Sequence, residues 1–518
     1  MRGIIQAGFF LLATAAAAQS PGMLNARDAG ILGDGKTLET AAIQKAIDGL
    51  SASGGGTLYF PPGAYLTGTL RLRDNAALHL EAGAVILGSD DLADYPPVTV
   101  PFPTMNDAFY RHALIYAEDA RNIAITGRGR IDGQGGAEGL RRKSTKAPER
   151  YMNRPSVIRF VNCAGVLLRD ARIQNAGFWV THLLACDDVV VDGVRVESRT
   201  ANYNNDGIDV DCCSNVRISN CFIDSQDDAL CLKSTGDRVC RNVTVTNCVF
   251  TSSCSGIRFG CEAVGGFEDI TISNCVIYDT RATAIQLQVF DGGVMDRVVI
   301  SGVTMRNVGQ AILVNLGHEM YHIGIDEAEL PVRRGAEPGS VRNIILRDIL
   351  AEGVGRYRGA SVGGEVTEME RRHGCIISGM PGHPIENLTL ENIRMRFAGK
   401  GTAEDAANDL SQVKNGFNGD SMGVTPSYGF YCRNVRNLRM RDVETGYENE
   451  DVRPAVMVEL AEKVDISGLG GMVHPSARGL LVLKNTRDAL IQAAPSGVDN
   501  YLHAEDGVTG LRVEGQAR

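Results

Sequence analysis

The stretch "NNDGIDVDCCSNVRISNCFIDSQDDALCLKS", Asn204 to Ser234, sets six aspartates among strand-forming residues. The acids are Asp206, Asp209, Asp211, Asp224, Asp227 and Asp228; their apolar neighbours are Ile208, Val210, Val216, Ile218, Leu230 and Leu232. Carboxylates gathered in one pocket raise one another's pKa, so one group stays protonated as an acid while another stays ionised as a base. Hydrolysis of a glycosidic bond asks for that pair: an acid for the leaving oxygen and a carboxylate for the attacking water. The bland alternative, in which Asp and Asn only close turns, suffices for Asp188, Asp224, Asp269 and Asp348.

Whether Asp206, Asp227 and Asp228 meet depends on the elements that carry them. "NVRISNCFIDS" from Asn215, "NVTVTNCVFTS" from Asn242 and "DITISNCVIYD" from Asp269 are one unit repeated every 27 residues. Related copies open at Asn122, Gly165, Asp188, Arg297, Asn343, Asn387, Asn437, Lys463 and Asp488, the wider gaps hiding an extra coil or a loop. Each copy alternates apolar and polar residues, as a strand with one buried face does. A strand unit that cannot bury its own face must stack on its neighbours, so the chain reads as an all-β solenoid, a right-handed parallel β-helix. Leucine-rich repeats fit worse, since the copies carry no leucine ladder and no recurring helical half. Ala42, Ile43, Ala46, Ile47 and Leu50 recur at helical spacing, which predicts a short helix over Thr40–Ser51 capping the N-terminal end. Segments 133–157, 317–341, 355–376 and 397–430 break the pattern and are expected as long loops on one side.

Stacking the copies sets Ile208 and Val210, Leu230 and Leu232, Ile257 and Phe259, Ile285 and Leu287 in successive coils, at spacings of 22, 27 and 28 residues. One outward column then reads Asp209, Cys231, Arg258, Gln286, and the next Asp211, Lys233, Gly260, Gln288. Asp206 and Asp228 share a third column on neighbouring rungs, with Asp227 beside them. Strict alternation would bury both, which unpaired charges do not tolerate, so the chain is expected to bend at Gly207 and at the Asp-Asp pair.

Composition sets the class. The chain has 518 residues, 44% hydrophobic and 22% charged, with 60 Gly and one Trp, which suits a large turn-rich β protein. A net charge of −10 speaks against nucleic acid as a partner. Arg2, the apolar run Ile4–Ala17 and the small residues Ala16, Ala17 and Ala18 form a signal-peptide pattern over 1–18, leaving 19–518 as a single domain, secreted or periplasmic, with no membrane segment after cleavage. Thirteen cysteines, with Cys221, Cys248 and Cys275 each 27 apart, are expected mostly as small buried apolar side chains, with few bridges. No His/Cys cluster at metal-ligand spacing is visible, so no metal or other cofactor is expected; the oligomeric state is open.

At this point the residues resemble glycoside hydrolase family 28, the polygalacturonase family of pectin-degrading β-helix enzymes. The likeness rests on "GDGKTLETAAIQKAIDGL" with "GGGTLYFPPGAYLTG", on "IDGQG", "GFWVTHL" and "SGMPGHPIENLTLENI", and most specifically on "NNDGID" and "SQDDA". It implies Asp227 as general acid, Asp206 and Asp228 as the groups that hold and deprotonate water, inversion of configuration, and a pectic carbohydrate as substrate. Asn204, Asp209, Lys233, Cys254, Arg258, Gln286 and Gln288 fall among the implied substrate-binding positions, and Trp179 and His182 lie in a segment that can line a sugar subsite. The "SGMPGHPIENLTLENI" stretch resembles bacterial exo-acting members, and long loops can close one end of a groove.

Two motifs of that family are replaced. Its Gly-His-Gly falls on Ser253, Cys254 and Ser255, and its carboxylate-gripping Arg-x-Lys on Gln286 and Gln288. A neutral amide does not replace an ion pair to a carboxylate. Either the central subsite takes a different sugar, or Arg258 and Lys233 supply the charge, with Arg258 equally placed to pair with Asp209. Two other functions fit the same fold. One is a lyase holding Ca²⁺ on Asp209, Asp211 and Asp227 with Arg258 or Lys233 as base; the other is a non-catalytic carbohydrate-binding β-helix.

Overall fold

The computed structural model describes residues 22–105, 111–141, 153–318, 335, 337–357, 372–416, 419–492 and 500–515. The 1–18 signal-peptide expectation lies outside these residues, as do most of 317–341 and 355–376. The described chain forms a right-handed parallel β-helix whose strands all pair in parallel across successive coils. Three coils show the construction. Thr181–Leu184, Asp187–Asp192 and Arg195–Ser198 make one; Ile208–Asp211, Ser214–Ser219 and Phe222–Ser225 the next; Leu230–Ser234, Cys240–Thr246 and Val249–Ser252 the third. Thr181, Ile208 and Leu230 stand in register, as do Val189, Val216 and Val243, and Val196, Ile223 and Phe250.

Turn chemistry explains why the copies open as they do. All twelve copy-opening residues, Asn122 through Asp488, adopt φ between +54° and +69°. That left-handed conformation costs a side-chain-bearing residue about 1–2 kcal/mol, and Asn and Asp tolerate it best. Here the asparagines also bond from rung to rung. Asn242 Nδ2 donates to Asn215 Oδ1 at 3.0 Å and Asn215 Nδ2 to Asp188 Oδ1 at 3.2 Å; farther on, Asn437 donates to Asn387 and Asn387 to Asn343. The wider repeat gaps are loops and not extra coils, because Asp296, Arg342, Glu386 and Arg436 pair on consecutive rungs. Of the acids read as turn closers, Asp188, Asp269 and Asp348 take the left-handed conformation, whereas Asp224 lies in a strand and pairs with Arg199.

The interior is stacked side chains. Ile208, Leu230, Ile257 and Ile285 are fully buried in one file. Cysteines occupy two further files, Cys163, Cys186, Cys213 and Cys240 in one and Cys221, Cys248 and Cys275 in the other. All thirteen are unbridged, and every one but Cys254 is buried, so they act as small core residues. The cap is the helix Thr40–Ala52, one residue longer than its sequence pattern, with Ile43, Ala46, Ile47 and Leu50 buried on the first coil.

The insertion between the strands Ile385–Gly399 and Phe430–Asn449 governs access to one sheet face. Along that face the outward column runs His182, Asp209, Cys231, Arg258, Gln286 and then turns apolar: Leu313, Ile376, Tyr431, Met457, Val482. The apolar half is covered. Leu410 packs on Tyr431, Met457 and Val482, and Met422 on Leu313 and Ile376. A wall thus rises beside the polar half.

Candidate active site

The acids stand where consecutive coils turn the corner into this face. The strands Ile208–Asp211 and Leu230–Ser234 begin two residues after Asp206 and Asp228, so the bend expected at Gly207 is present. A Cβ on Gly207 would lie 2.4 Å from Ile223 Cγ2 and 2.5 Å from the Ala229 carbonyl, so only glycine lets the two rungs close there. The Gly207 N–H donates to the Asp228 carbonyl at 2.8 Å, which seats Asp206 over Asp228. Carboxylate oxygens of Asp206 and Asp228 and the Cys231 sulfur lie within 4.8 Å of one another, and so do those of Asp227 and Asp228 with the Cys254 sulfur. Three aspartates from two rungs therefore share one pocket.

Their surroundings differ. Asp227 Oδ2 accepts the Asn204 N–H at 3.0 Å, and Ser225 and Ser252 hydroxyls donate to its carbonyl at 2.6 Å each, so the backbone on both sides fixes it. Asp227 keeps part of its surface open, whereas Asp206 and Asp228 are buried. Asp228 Oδ1 accepts from the Ser255 N–H at 3.0 Å and Oδ2 from Arg258 at 3.2 Å. Burial, and then the charge of Asp228, raises the Asp227 pKa; burial, and then Asp209 and Asp227, pushes Asp206 well above the usual carboxylate range. Asp206 and Asp209 gain their counter-charge from Lys233, whose Nζ lies 3.9 and 3.8 Å from them and 3.3 Å from Glu262. The same ammonium sits 4.8 Å over the Trp179 ring.

The remaining sequence candidates fall around this centre. Asn204 takes a left-handed φ of +55° and its side chain accepts from Arg154 at 3.3 Å. Cys254 stands where the family has histidine; burial and the two neighbouring carboxylates push its thiol well above 9, so it faces Asp227 and Asp228 as S–H. Gln286 and Gln288 are fully buried: Ser255 Oγ donates to Gln286 at 3.0 Å, Gln286 donates to Gln288 at 2.7 Å, and Arg258 donates to Gln288 at 3.2 Å. Burial holds His182 neutral, its pKa down at about 4, with Nε2 3.2 Å from Asp211 Oδ2 and its ring against Trp179. Burial opposes the charge of Asp211, yet His182 and Thr235 outweigh it and keep that carboxyl below its usual range.

Three expectations are corrected. Arg258 pairs with Asp228 and not with Asp209, which belongs to Lys233. Gly260 does not stand opposite Lys233: the register slips there, Leu232 pairing with Phe259 but Ser234 with Ala263, and the extra residues bring Glu262 to Lys233. Asp209, Asp211 and Asp227 do not converge as a Ca²⁺ set among the described residues, since Asp211 is committed to His182 and Thr235. The two sulfur-containing acid clusters are poor metal cages as they stand, because their thiols are held protonated and Arg258 and Lys233 already neutralise the carboxylates. Sequence reasoning missed Glu262, Thr235 and the wall. Only the wall left a signal, the switch of the outward column to apolar residues at Leu313.

Comparison with known proteins agrees with this geometry. Residues 98–326 match the model of glycosyl hydrolases family 28, and residues 23–79 that of rhamnogalacturonase A/epimerase, pectate lyase-like. A probable polygalacturonase of Vitis vinifera is 29% identical over 423 residues, 77% of this chain and 78% of that one. An exo-poly-alpha-D-galacturonosidase of Dickeya chrysanthemi is 27% identical over 253 residues, 40% of this chain and 42% of that protein. In fold, the family 28 exopolygalacturonase of Yersinia enterocolitica superposes with a TM-score of 0.63 at 19% identity, covering 96% of this chain and 79% of that one. On the acid pocket, the coil architecture and these relatives together, the chain belongs to glycosyl hydrolases family 28 as a polygalacturonase-like glycoside hydrolase.

Proposed function

We propose that this chain is an exported, exo-acting, inverting hydrolase of galacturonate- or rhamnogalacturonan-type pectic chains, its residues 1–18 a signal peptide and 19–518 one catalytic β-helix domain. The observation that carries the reading is the convergence of Asp206, Asp227 and Asp228, whose nearest oxygens lie within 4.8 Å pairwise through Asp228. In this mechanism Asp227, half-open and with its pKa raised, donates its proton to the leaving glycosidic oxygen. Asp206 and Asp228 are close enough to bind one water between them, and the carboxylate form of the pair takes its proton as it attacks the anomeric carbon. Arg258 keeps Asp228 ionised and Lys233 favours the charged form of Asp206, so the division into acid and base follows from which carboxyl has a cation beside it. Cys254 offers the Asp227 side a weak S–H donor in place of an imidazole.

Exo action is supported by the wall. The 400–416 stretch crosses the face one coil after Gln286, and its Gly416 carbonyl accepts from Asn315 Nδ2 at 2.9 Å, so a long polymer cannot run straight along the groove past the acids. The Vitis and Dickeya relatives are named for galacturonan substrates, and the Dickeya protein for exo action.

The test is digestion of pectic polysaccharides and oligosaccharides by the purified chain. Expected products are terminal mono- or short oligosaccharides, one water heavier per cut, whose new reducing end is first seen by NMR in the inverted anomer. Asp227→Asn should fold normally and lower kcat by at least about 10²-fold. A ladder of mid-length oligomers at early times would overturn exo action, a retained anomer would overturn inversion, and full activity of Asp227→Asn would overturn the assignment of the acid.

A further inference from the structure

Beyond the wall, on the same face, lies a second polar site. A cavity of about 230 Å³ opens between the insertion and the turns that follow the strands Cys375–Ser378 and Phe430–Asn449, lined by Arg433, Lys414, His318, Asn415, Asn434 and Met380, among others. No carboxylate lines it among the described residues, in a chain whose net charge is −10. Arg433 is 2% exposed and stays charged at any working pH. Its partners are neutral: Nε donates to Ser378 Oγ at 2.7 Å, one terminal nitrogen to Asn415 Oδ1 at 2.8 Å, and the other to the Leu410 carbonyl. The acid on the next rung, Glu459, is engaged elsewhere, by the Tyr431 hydroxyl and by Lys484 at 3.6 Å. A buried guanidinium without a carboxylate partner is costly, and an anion in the adjoining cavity would neutralise it.

The rest of the lining specifies more than charge. Asn415, Asn434 and Gln412 offer amides for hydroxyl groups, and Met380 and Pro381 offer an apolar surface for one face of a ring. The volume, at the small end of ligand pockets, suits a single ring and not an oligosaccharide. Arg433 stands three rungs past Gln288 in one file, through Asn315 and Ser378, or about 14 Å at about 4.8 Å per rung. The cavity is therefore separate from the acid pocket, although both touch the wall.

We propose that this cavity is a binding site for one hexuronate, the class of sugar acid that exo hydrolysis of a galacturonan releases. The choice of sugar rests on the function proposed above; the demand for a carboxylate rests on Arg433 and Lys414 alone. The probe is D-galacturonate, titrated calorimetrically into the full-length Asp227→Asn protein, with D-galactose and acetate as separate controls. Galacturonate is expected to bind at least tenfold more tightly than either control. Adding Lys414→Met should weaken it at least tenfold without changing the melting temperature of the unliganded protein. A conservative Arg433→Lys change, which keeps charge but not the fork that holds Leu410 and Asn415, is expected to weaken binding while the acid pocket still cleaves substrate when Asp227 is restored. Equal binding of galactose removes the demand for a carboxylate, equal binding of acetate removes the sugar, and indifference to Lys414→Met removes the cavity; each overturns the proposal. Turnover of pectic substrate by the wild-type chain is measured in parallel, so the cavity can fail while hydrolysis stands, and the reverse.

Discussion

Replacing Lys233 by Met removes the charge at the centre of the acid cluster and keeps an apolar stem in its place. The lost ammonium lies 3.3 Å from Glu262, 3.8 Å from Asp209 and 3.9 Å from Asp206, all at most 10% exposed. At an effective dielectric of about 20, one attraction at this distance is about 4 kcal/mol, which would move a pKa by about three units at about 1.4 kcal/mol each. Local rearrangement returns part of that, and a shift of at least about one unit is expected. The sign is fixed. Lys233 favours ionised Asp206, whose carboxyl burial and Asp209 already push upward, so its removal raises the pKa further and the base is ionised only at higher pH. The acid-side limb of kcat/KM against pH, followed by release of reducing sugar, should move to higher pH by that amount. Glu262→Gln should move it the other way, because Lys233 then answers to Asp206 and Asp209 alone. Truncating one member of a buried pair costs about 3–5 kcal/mol, so profiles are taken well below each variant's melting transition. Two folded variants whose acid limbs coincide with the wild type would refute the view that Lys233 sets the protonation of the base.

Asp206, Asp209 and Asp227 all have raised pKa values, so between about pH 4 and those values the folded chain binds more protons than the unfolded one; stability falls as pH rises through that window, by up to about 1.4 kcal/mol per unit for each group, and melting curves at successive pH values check it. Cys254 is the one cysteine not fully buried, yet burial, Asp228 and Asp227 hold it as thiol, so iodoacetamide should label the native protein slowly at pH 8, with mass spectrometry reading the extent. At Asn215, φ +58° and a rung-to-rung bond to Asp188 predict a loss of about 1–2 kcal/mol for Asn215→Ala and a smaller loss for Asn215→Gly, measured by urea unfolding. Cys213→Val, in the cysteine file, should cost less than about 1.5 kcal/mol by the same measurement, since the side chain serves as a small core residue.

The coil was legible because its period is written in residues that do one thing each. Asn215, Asn242 and Asp269 mark the left-handed turn, and the apolar alternation between them marks the buried face. The same arithmetic put Asp209 opposite Cys231 and Arg258 opposite Gln286, and the ladder has that register. It failed where the period is broken. The slip at Gly260–Glu262 has no counterpart in the flanking copies, so a column read by strict alternation sets glycine where a glutamate stands. Nor does a period say which of several outward charges will pair. Arg258 and Lys233 each had two acids within reach along the column, and the choice was made by the corner at Gly207, which lifts Asp228 toward Arg258 and leaves Asp209 to Lys233. The insertion over Tyr431 and Met457 was equally hidden, because a loop announces its length in the sequence but not its landing place.

The replaced family motifs now follow from one charge balance. Asp206, Asp209, Asp227, Asp228 and Glu262 bring five carboxyls to the pocket, and Lys233 and Arg258 bring two cations, each within 4.0 Å of at least one of them. With Gln286 and Gln288 in the file where the family carries Arg and Lys, no further positive charge stands on that side, and the two amides spend their hydrogen bonds on Ser255, Arg258, Asn315 and each other. A uronate carboxylate brought against this set would meet cations already shared among acids, and would add like charge to a pocket whose carboxyls are raised by that crowding. Recognition of an acidic sugar is therefore better served away from the acids, where a guanidinium stands among neutral partners, than between them. On that account the sugar ring at the point of cleavage is held by shape, by Trp179 and by neutral donors, and exchanging Gln286 for Arg would insert a third buried cation without restoring the grip its relatives have.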